Sequence, residues 1–457
     1  MQKSNAQPQN KMGVMPVNRL LISMALPMMI SMLVQALYNI VDSVYVAQLS
    51  QNAFTAVSLA FPIQNIMIAI GSGTGTGVTA LISKSLGEGD EKKARAYAMN
   101  GIFLALLSFF AIFIFGIFGS RFFFETQSNI PEITEMGTDY LTICCCFSFG
   151  LFGQIIFERL MQSTGKTMLS MITQGVGAIV NIVLDPILIF GYLGFPRMEA
   201  AGAALATVIG QIVSFIVGII LNHFYNKEIK LSLKGFKPSL KLIGNIYALG
   251  VPSIIMISIG SIMTYLMNRL LTAIEPTTTA TAVFGAYFKL QSFVFMPTIG
   301  LSHGMIPIVA YNFGAKNRKR MNDTYKLGVM YAFIIMLIGT ILMLAIPDVL
   351  LSFFGASEKM REIGIPAFRI IALGFLVASY CIITSSFFQG CGKSIISMFV
   401  SITRQLIVLI PVAYILGFTL GYKYVWLSLP IAEFASLIVI LFGKRKINKF
   451  ISQQIPK

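Results

Sequence analysis

Charge is the scarcest commodity in this 457-residue chain, since only 11% of its residues are Asp, Glu, Lys or Arg, against about a quarter in an ordinary soluble protein. That scarcity excludes a soluble globular enzyme. Tryptophan occurs once, histidine twice and cysteine five times. Three of the cysteines are consecutive, Cys144, Cys145 and Cys146, a spacing that cannot close ordinary disulfides among themselves and that matches no metal-ligand pattern. Small-residue packing within an apolar helix is their reading. A cleavable leader is not expected either, because residues 1–18 are polar and the first apolar run is far longer than a signal core. That tail reads as disordered.

What the chain has is apolar length, with 56% of its residues hydrophobic. Between Leu20 and Ser83 the only charged side chain is Asp42. Comparable windows recur to the C-terminus, which predicts an all-α polytopic membrane protein with about twelve transmembrane helices. No connection is long enough to hold a separate soluble domain, so no enzyme and no cofactor are expected. The net charge of +16 invites a nucleic-acid reading, but position decides against it. Of the 34 Lys and Arg, 25 fall in alternate connections and the two tails, and six in the opposite set. This is the positive-inside pattern, so both termini are expected in the cytoplasm, with the chain in a bacterial inner membrane and no nucleic-acid partner.

An internal repeat organises the spans. The connection Gln162-Ser-Thr-Gly-Lys-Thr-Met-Leu-Ser-Met171 returns as Gln389-Gly-Cys-Gly-Lys-Ser-Ile-Ile-Ser-Met398, an offset of 227 residues. The same offset pairs Gly87 with Gly314, Gln64 with Gln291, Gly73 with Gly300 and Gly77 with Gly304. The expected plan is therefore a tail (1–18), a six-helix lobe (19–226), a basic linker (227–240), a second lobe (241–443) and a C-terminal tail (444–457). An even number of spans per offset relates the two bundles by a pseudo-two-fold axis along the membrane normal, the plan of secondary carriers that alternate access by rocking. The Gly71-Ser-Gly-Thr-Gly-Thr-Gly77 run matches no phosphate-binding loop, and Gly165-Lys166-Thr167 lacks the upstream glycine of a P-loop. Energy must then come from an ion gradient or from the substrate's own.

Ionisable groups within spans are costly, so each is a functional candidate. Asp42 lies 22 residues after Leu20, a rise of about 33 Å. Asp185 lies 17 residues after Met168, a rise of about 26 Å on a span of the same direction. Asn181 is one turn before it, and Thr207, in the next span, lies roughly 10 Å below that span's outer end. These four oxygen-bearing side chains converge on one depth. Pro186 frees the carbonyl of Ile182 or bends the helix there. The set suits a proton, carried by Asp42 and tuned by the others, and sodium is chemically feasible at the same residues. A static polar network that fixes helix packing is the competing reading.

In the second half Lys289, Arg404 and Glu433 fall near the midplane, where an ion pair of Glu433 with either base is favoured over contact with substrate. Glu158 and Arg159, at the end of the fourth span, read as structural, and His223 and His303 as hydrated imidazoles. The 25 Met and 37 Phe suit a cavity for large organic cations.

Taken together, Ala25-Leu-Pro27, Leu37-Tyr-Asn-Ile-Val-Asp-Ser43, Asn181-Ile-Val-Leu-Asp-Pro-Ile187, Ala203-Ala-Leu-Ala-Thr207, Pro307-Ile-Val-Ala-Tyr-Asn-Phe-Gly314 and Gln389-Gly-Cys-Gly-Lys393 resemble the multidrug and toxic compound extrusion (MATE) transporters. The resemblance runs from Arg19 to Lys444 and is nearest to the MepA-like bacterial branch. It implies a two-lobe antiporter, monomeric in the lipid bilayer, that exports cationic amphiphilic drugs in exchange for H+ or Na+. The family's first-lobe cation network would map onto Asp42, Asn181, Asp185 and Thr207. The NorM-like branch carries an acid in its seventh span, whereas Val251 to Asn268 has none; coupling through the first lobe is therefore expected. The alternatives are a flippase for lipid-linked sugars, which would want several basic groups in its cavity, and a passive channel.

Overall fold

A chain with no water beside its N–H and C=O groups must pair them within each segment, and the apolar runs accordingly fold as helices. A computed structural model of the chain describes residues 10–232, 234–275 and 277–455, and only the backbone at Ser43 and Ala47. The first half holds α1 (Lys11–Val14), α2 (Val17–Ala47), α3 (Gln51–Gly87), α4 (Glu91–Phe118), α5 (Ser120–Gln127), α6 (Pro131–Cys146), α7 (Phe149–Ser163), α8 (Thr167–Phe190) and α9 (Glu199–Tyr225). The second holds α10 (Leu240–Ile274), α11 (Thr279–Gly314), α12 (Arg318–Ala345), α13 (Pro347–Ser352), α14 (Glu358–Ala372), α15 (Phe375–Gly390), α16 (Ser394–Ile402), α17 (Ile410–Leu420), α18 (Tyr422–Val425) and α19 (Ser428–Gln454). Among the described residues ten helices are long and apolar enough to span a membrane, and two bent pairs bring the number up to 12. The polytopic all-α fold expected from the apolar windows is the fold observed.

The repeat extends to single hydrogen bonds. Asp90 and Asn317 cap α4 and α12, each accepting the backbone N–H three residues on, Lys93 at 2.9 Å and Arg320 at 3.1 Å. Gly165 and Gly392 both turn the chain at positive φ, +87° and +76°, where a side chain would be strained. Just beyond, Ser170 Oγ donates to the Glu158 carbonyl and Ser397 Oγ to that of Ser385, both at 2.8 Å. Even the broken spans correspond, with α6 and α7 meeting at 44° and α14 and α15 at 48°.

Two compact units emerge, and two of their three borders fall inside helices, in α2 and α10. One joins the residues up to Val14 to Ile30–Ile254, and the other joins Met15–Met29 to the residues from Ile255 onward. Small residues make this exchange feasible. In the first unit a Cβ on Gly73 would lie 2.7 Å from the Ile254 nitrogen, and one on Gly77 would strike the Ile246 carbonyl. In the second, Gly300 and Gly304 receive α2 in the same way, at 2.6 Å from the Met29 nitrogen and 2.7 Å from the Ala25 Cα. The glycine pairs that mark the repeat are the grooves into which the first halves of α10 and α2 settle.

Three local features differ from the sequence reading. Of the 1–18 tail, residues 1–9 lie outside the described residues, but Asn10 donates to the Thr164 carbonyl (3.1 Å) and to Glu228 Oε2 (2.9 Å), and Met12 is fully buried. That part of the tail is docked, not disordered. At the other end α19 continues to Gln454, carrying Lys444–Lys449 as a helical extension. Between α16 and α17, Thr403–Leu409 is a π-helical turn, which no periodicity in this apolar stretch announces.

Candidate functional site

The site in the first unit is built on α8 and α9, which approach closely because Gly177 and Gly210 face each other. A Cβ on Gly177 would meet Ser214 Oγ and, at 2.8 Å, the Gly210 carbonyl. Closeness of the backbones brings Asn181 and Thr207 into reach. Asn181 Nδ2 donates to Asp185 Oδ1 at 3.2 Å and to Thr207 Oγ1 at 3.4 Å. Asp185 is fully buried and Asn181 nearly so. Helix α8 runs without a break through Pro186 to Phe190, so the missing proline N–H leaves the Ile182 carbonyl without its helical donor.

Asp42, on the last turns of α2, is half-buried and within electrostatic range of Asp185. The four residues singled out by depth therefore gather in one place. Three of their buried oxygens, Asp42 Oδ1, Asn181 Oδ1 and Asp185 Oδ2, have no hydrogen-bond partner among the described residues. All three are acceptors, or become donors only by taking up a proton. Such a cluster of acceptors can take donors, a proton or a cation.

Depth arithmetic missed the surround. Tyr38, Tyr140 and Cys144 all lie in electrostatic range of Asp42. Gln64 Nε2 donates to Tyr140 Oη at 3.0 Å and points at Cys144 Sγ, 3.7 Å away. Tyr38 was discoverable, since it lies one turn before Asp42 on the same helix face. Tyr140 and Gln64 carry no charge at neutral pH, and although the repeat pairs Gln64 with Gln291, that spacing does not tie either residue to Asp42. All five cysteines are free, and Cys144 and Cys145 are buried as small packing residues.

In the second unit Arg404 Nη1 lies 3.4 Å from Glu433 Oε1. Lys289 is exposed on α11 and takes no part in that pair. His223 stacks edge-on against Phe224, with ring centroids 5.2 Å apart. Glu158 accepts from Gln154 at 2.9 Å, and the buried Arg159 donates to Gln162 at 3.0 Å. Among the described residues no three His, Cys, Asp or Glu side chains converge as a metal site. The two carboxylates, the amide and the hydroxyl around Asp185 are instead suited to a proton or a hard monovalent cation.

The chain matches the MatE family over residues 27–187 and 252–415, one stretch in each repeat. It is 27% identical over 445 residues to the multidrug export protein MepA of Staphylococcus aureus strain MRSA252, covering 94% of this chain and 95% of the relative. It is 24% identical over 430 residues to an FAD transporter of Shewanella oneidensis, with 92% of each covered. Its fold superposes on the crystal structure of MATE in complex with MaL6 with a TM-score of 0.90 at 24% identity, covering 98% of this chain and 99% of that one. A MOP superfamily transporter from Pyrococcus furiosus gives 0.89 at 24% identity, over 99% of each. Matched across both repeats, the chain belongs to the MatE family.

Proposed function

We propose that this protein is a secondary carrier that exports cationic amphiphilic compounds by antiport with H+ or Na+, its two units rocking to alternate access. The observation that carries the reading is the set of three orphan acceptor oxygens on Asp42, Asn181 and Asp185. Such a site holds a cation or proton in one state and is strained when it is lost, which is what coupling to a gradient requires. The multidrug export names of the staphylococcal relatives support organic drugs as cargo. A carrier of pyrophosphate-linked sugars fits less well, because a pyrophosphate wants several basic groups together and the mid-span Arg404 has an acid, Glu433, beside it. With both termini in the cytoplasm, as the charge asymmetry argues, the site lies in the outer half of the membrane.

Everted vesicles test this directly. Asp42→Asn should abolish gradient-driven uptake of a fluorescent organic cation, and full retention of uptake would overturn the reading. Counterflow separates a carrier from a channel, since only a carrier exchanges labelled for unlabelled substrate with trans-stimulation.

A further inference from the structure

The second unit contains a cavity of about 240 Å³ that the coupling site does not use, lined by Arg404 and Gln405, by Glu433, and by Tyr287, Phe295 and Phe375. Two backbone irregularities meet there. Arg404 and Gln405 sit on the π-helical turn Thr403–Leu409, and Phe375 follows the break between α14 and α15, where a Cβ on Gly374 would lie 3.2 Å from Glu433 Cγ. Irregular backbone at membrane depth is tolerated where it lines a cavity, and π-turns gather at functional sites. The charges are also new to this half. At the repeat offset of 227, the first half has Gly177 and Ala206 where the second has Arg404 and Glu433.

The Arg404–Glu433 pair is incomplete. Its single contact of 3.4 Å is longer than the 2.7–2.9 Å typical of charge-assisted pairs and uses one of the guanidinium's five donors. Glu433 Oε2 is buried and has no hydrogen-bond partner among the described residues. A lone cation on Glu433 would leave a net positive charge in a low-dielectric space, and a lone anion on Arg404 a net negative one. A zwitterion supplies a donor to Glu433 and an acceptor to Arg404 while keeping the site neutral. The rest of the wall is aromatic, with Phe295 and Phe375 edge to face at 5.2 Å and Tyr287 buried beside both charges. The volume lies below the usual range of about 300–1,000 Å³ for drug-sized ligands, so it fits one ring with a short charged arm.

We infer that this cavity is a binding site for a small aromatic zwitterion, with its ammonium on Glu433, its carboxylate on Arg404 and its ring among Tyr287, Phe295 and Phe375. The inference stands apart from the coupling site and does not depend on it.

Equilibrium dialysis of the full-length protein in lipid nanodiscs, with labelled L-phenylalanine as probe, tests it. L-Phenylalanine should bind saturably. Phenethylamine, which keeps only the ammonium, 3-phenylpropionate, which keeps only the carboxylate, and glycine, which lacks the ring, should each compete at least about tenfold more weakly. Arg404→Gln and Glu433→Gln should each weaken binding by about tenfold or more. Should either variant fail to fold, the analogue series on the unaltered protein still decides. Phenethylamine competing as well as L-phenylalanine would overturn the inference in favour of a simple cation site. No saturable binding up to about 10 mM would overturn it altogether.

Discussion

Asn181 Nδ2 lies 3.2 Å from Asp185 Oδ1, one turn further along α8, and the same nitrogen reaches Thr207 Oγ1 on α9 at 3.4 Å. The amide thus spends its donors on its neighbours and adds its own oxygen to the unpartnered set. Asp185→Asn removes a buried charge while keeping the shape, so the melting temperature of the purified protein should hold or rise, while gradient-driven transport falls at least about tenfold. A purely structural Asp185 would give the opposite pair of results, lower stability with transport retained per folded molecule.

The glycine grooves make a second, steric prediction. Gly73→Ala and Gly300→Ala each force a methyl against backbone, and should lower stability by about 1–3 kcal/mol. Gly175→Ala, with nothing within 4 Å of the added Cβ, is the control. It should be neutral or slightly stabilising, because alanine favours helix. Thermal unfolding in one detergent compares all three, and equal melting temperatures would show that the grooves can relax.

Those grooves also show where sequence reasoning stops. Gly73 and Gly77 could be matched to Gly300 and Gly304 because a repeat needs only one-dimensional comparison. What fills each groove is a long-range fact, and nothing near Gly73 names Ile254. Asp42, Asn181, Asp185 and Thr207 were readable because a carboxylate or amide in an apolar run stands out and helix rise converts number to depth. Tyr140 and Gln64 approach the same site from α6 and α3 with side chains ordinary at that composition. The docked Asn10 was missed for a related reason, since polar residues ahead of a first span look alike whether or not a partner such as Glu228 waits elsewhere in the chain.

Pro27 and Pro252 lie two residues before the points where α2 and α10 pass from one unit to the other. Each proline deletes a helical hydrogen bond and softens the helix there. If the units rock, Pro252→Ala should slow turnover several-fold while leaving equilibrium drug binding unchanged, as stopped-flow efflux and binding measured side by side would show. Unchanged turnover would remove α10 from the moving parts.

Beyond the end of α10, Glu275 reports on pH. Burial favours its neutral form, but hydrogen bonds from Thr277 Oγ1, the Ala280 N–H and Lys359 Nζ outweigh burial and hold its carboxyl down at about 2, against an ordinary 4.5. A depressed acid stabilises the fold above its unfolded value and loses that contribution as pH falls toward its folded one. The melting temperature should therefore decline between about pH 4.5 and pH 2. Glu275→Gln should melt lower than the native chain at pH 7, and the difference should shrink in acid. A gap that is constant across that window would mean the loop is held by shape and not by charge.

The proposed coupling leaves two candidate ions for the orphan oxygens. Sodium wants about five or six oxygen ligands in a dry site, whereas a proton needs only a carboxylate whose neutral form is tolerated. Asp42, Asp185, the Asn181 oxygen, Thr207 and the freed Ile182 carbonyl bring sodium within reach. Yet Asp42 lies within electrostatic range of Asp185 as a second acid, and two neighbouring acids in a low dielectric can share a proton without any metal. The prediction is that dye efflux from proteoliposomes follows an imposed pH gradient in sodium-free buffer and stops when that gradient is collapsed. Asp42→Asn should then abolish the pH-driven efflux, because the residue proposed to carry the proton is gone. Efflux driven by a sodium gradient with pH clamped on both sides would reverse the assignment and make Asp42 a ligand to the metal.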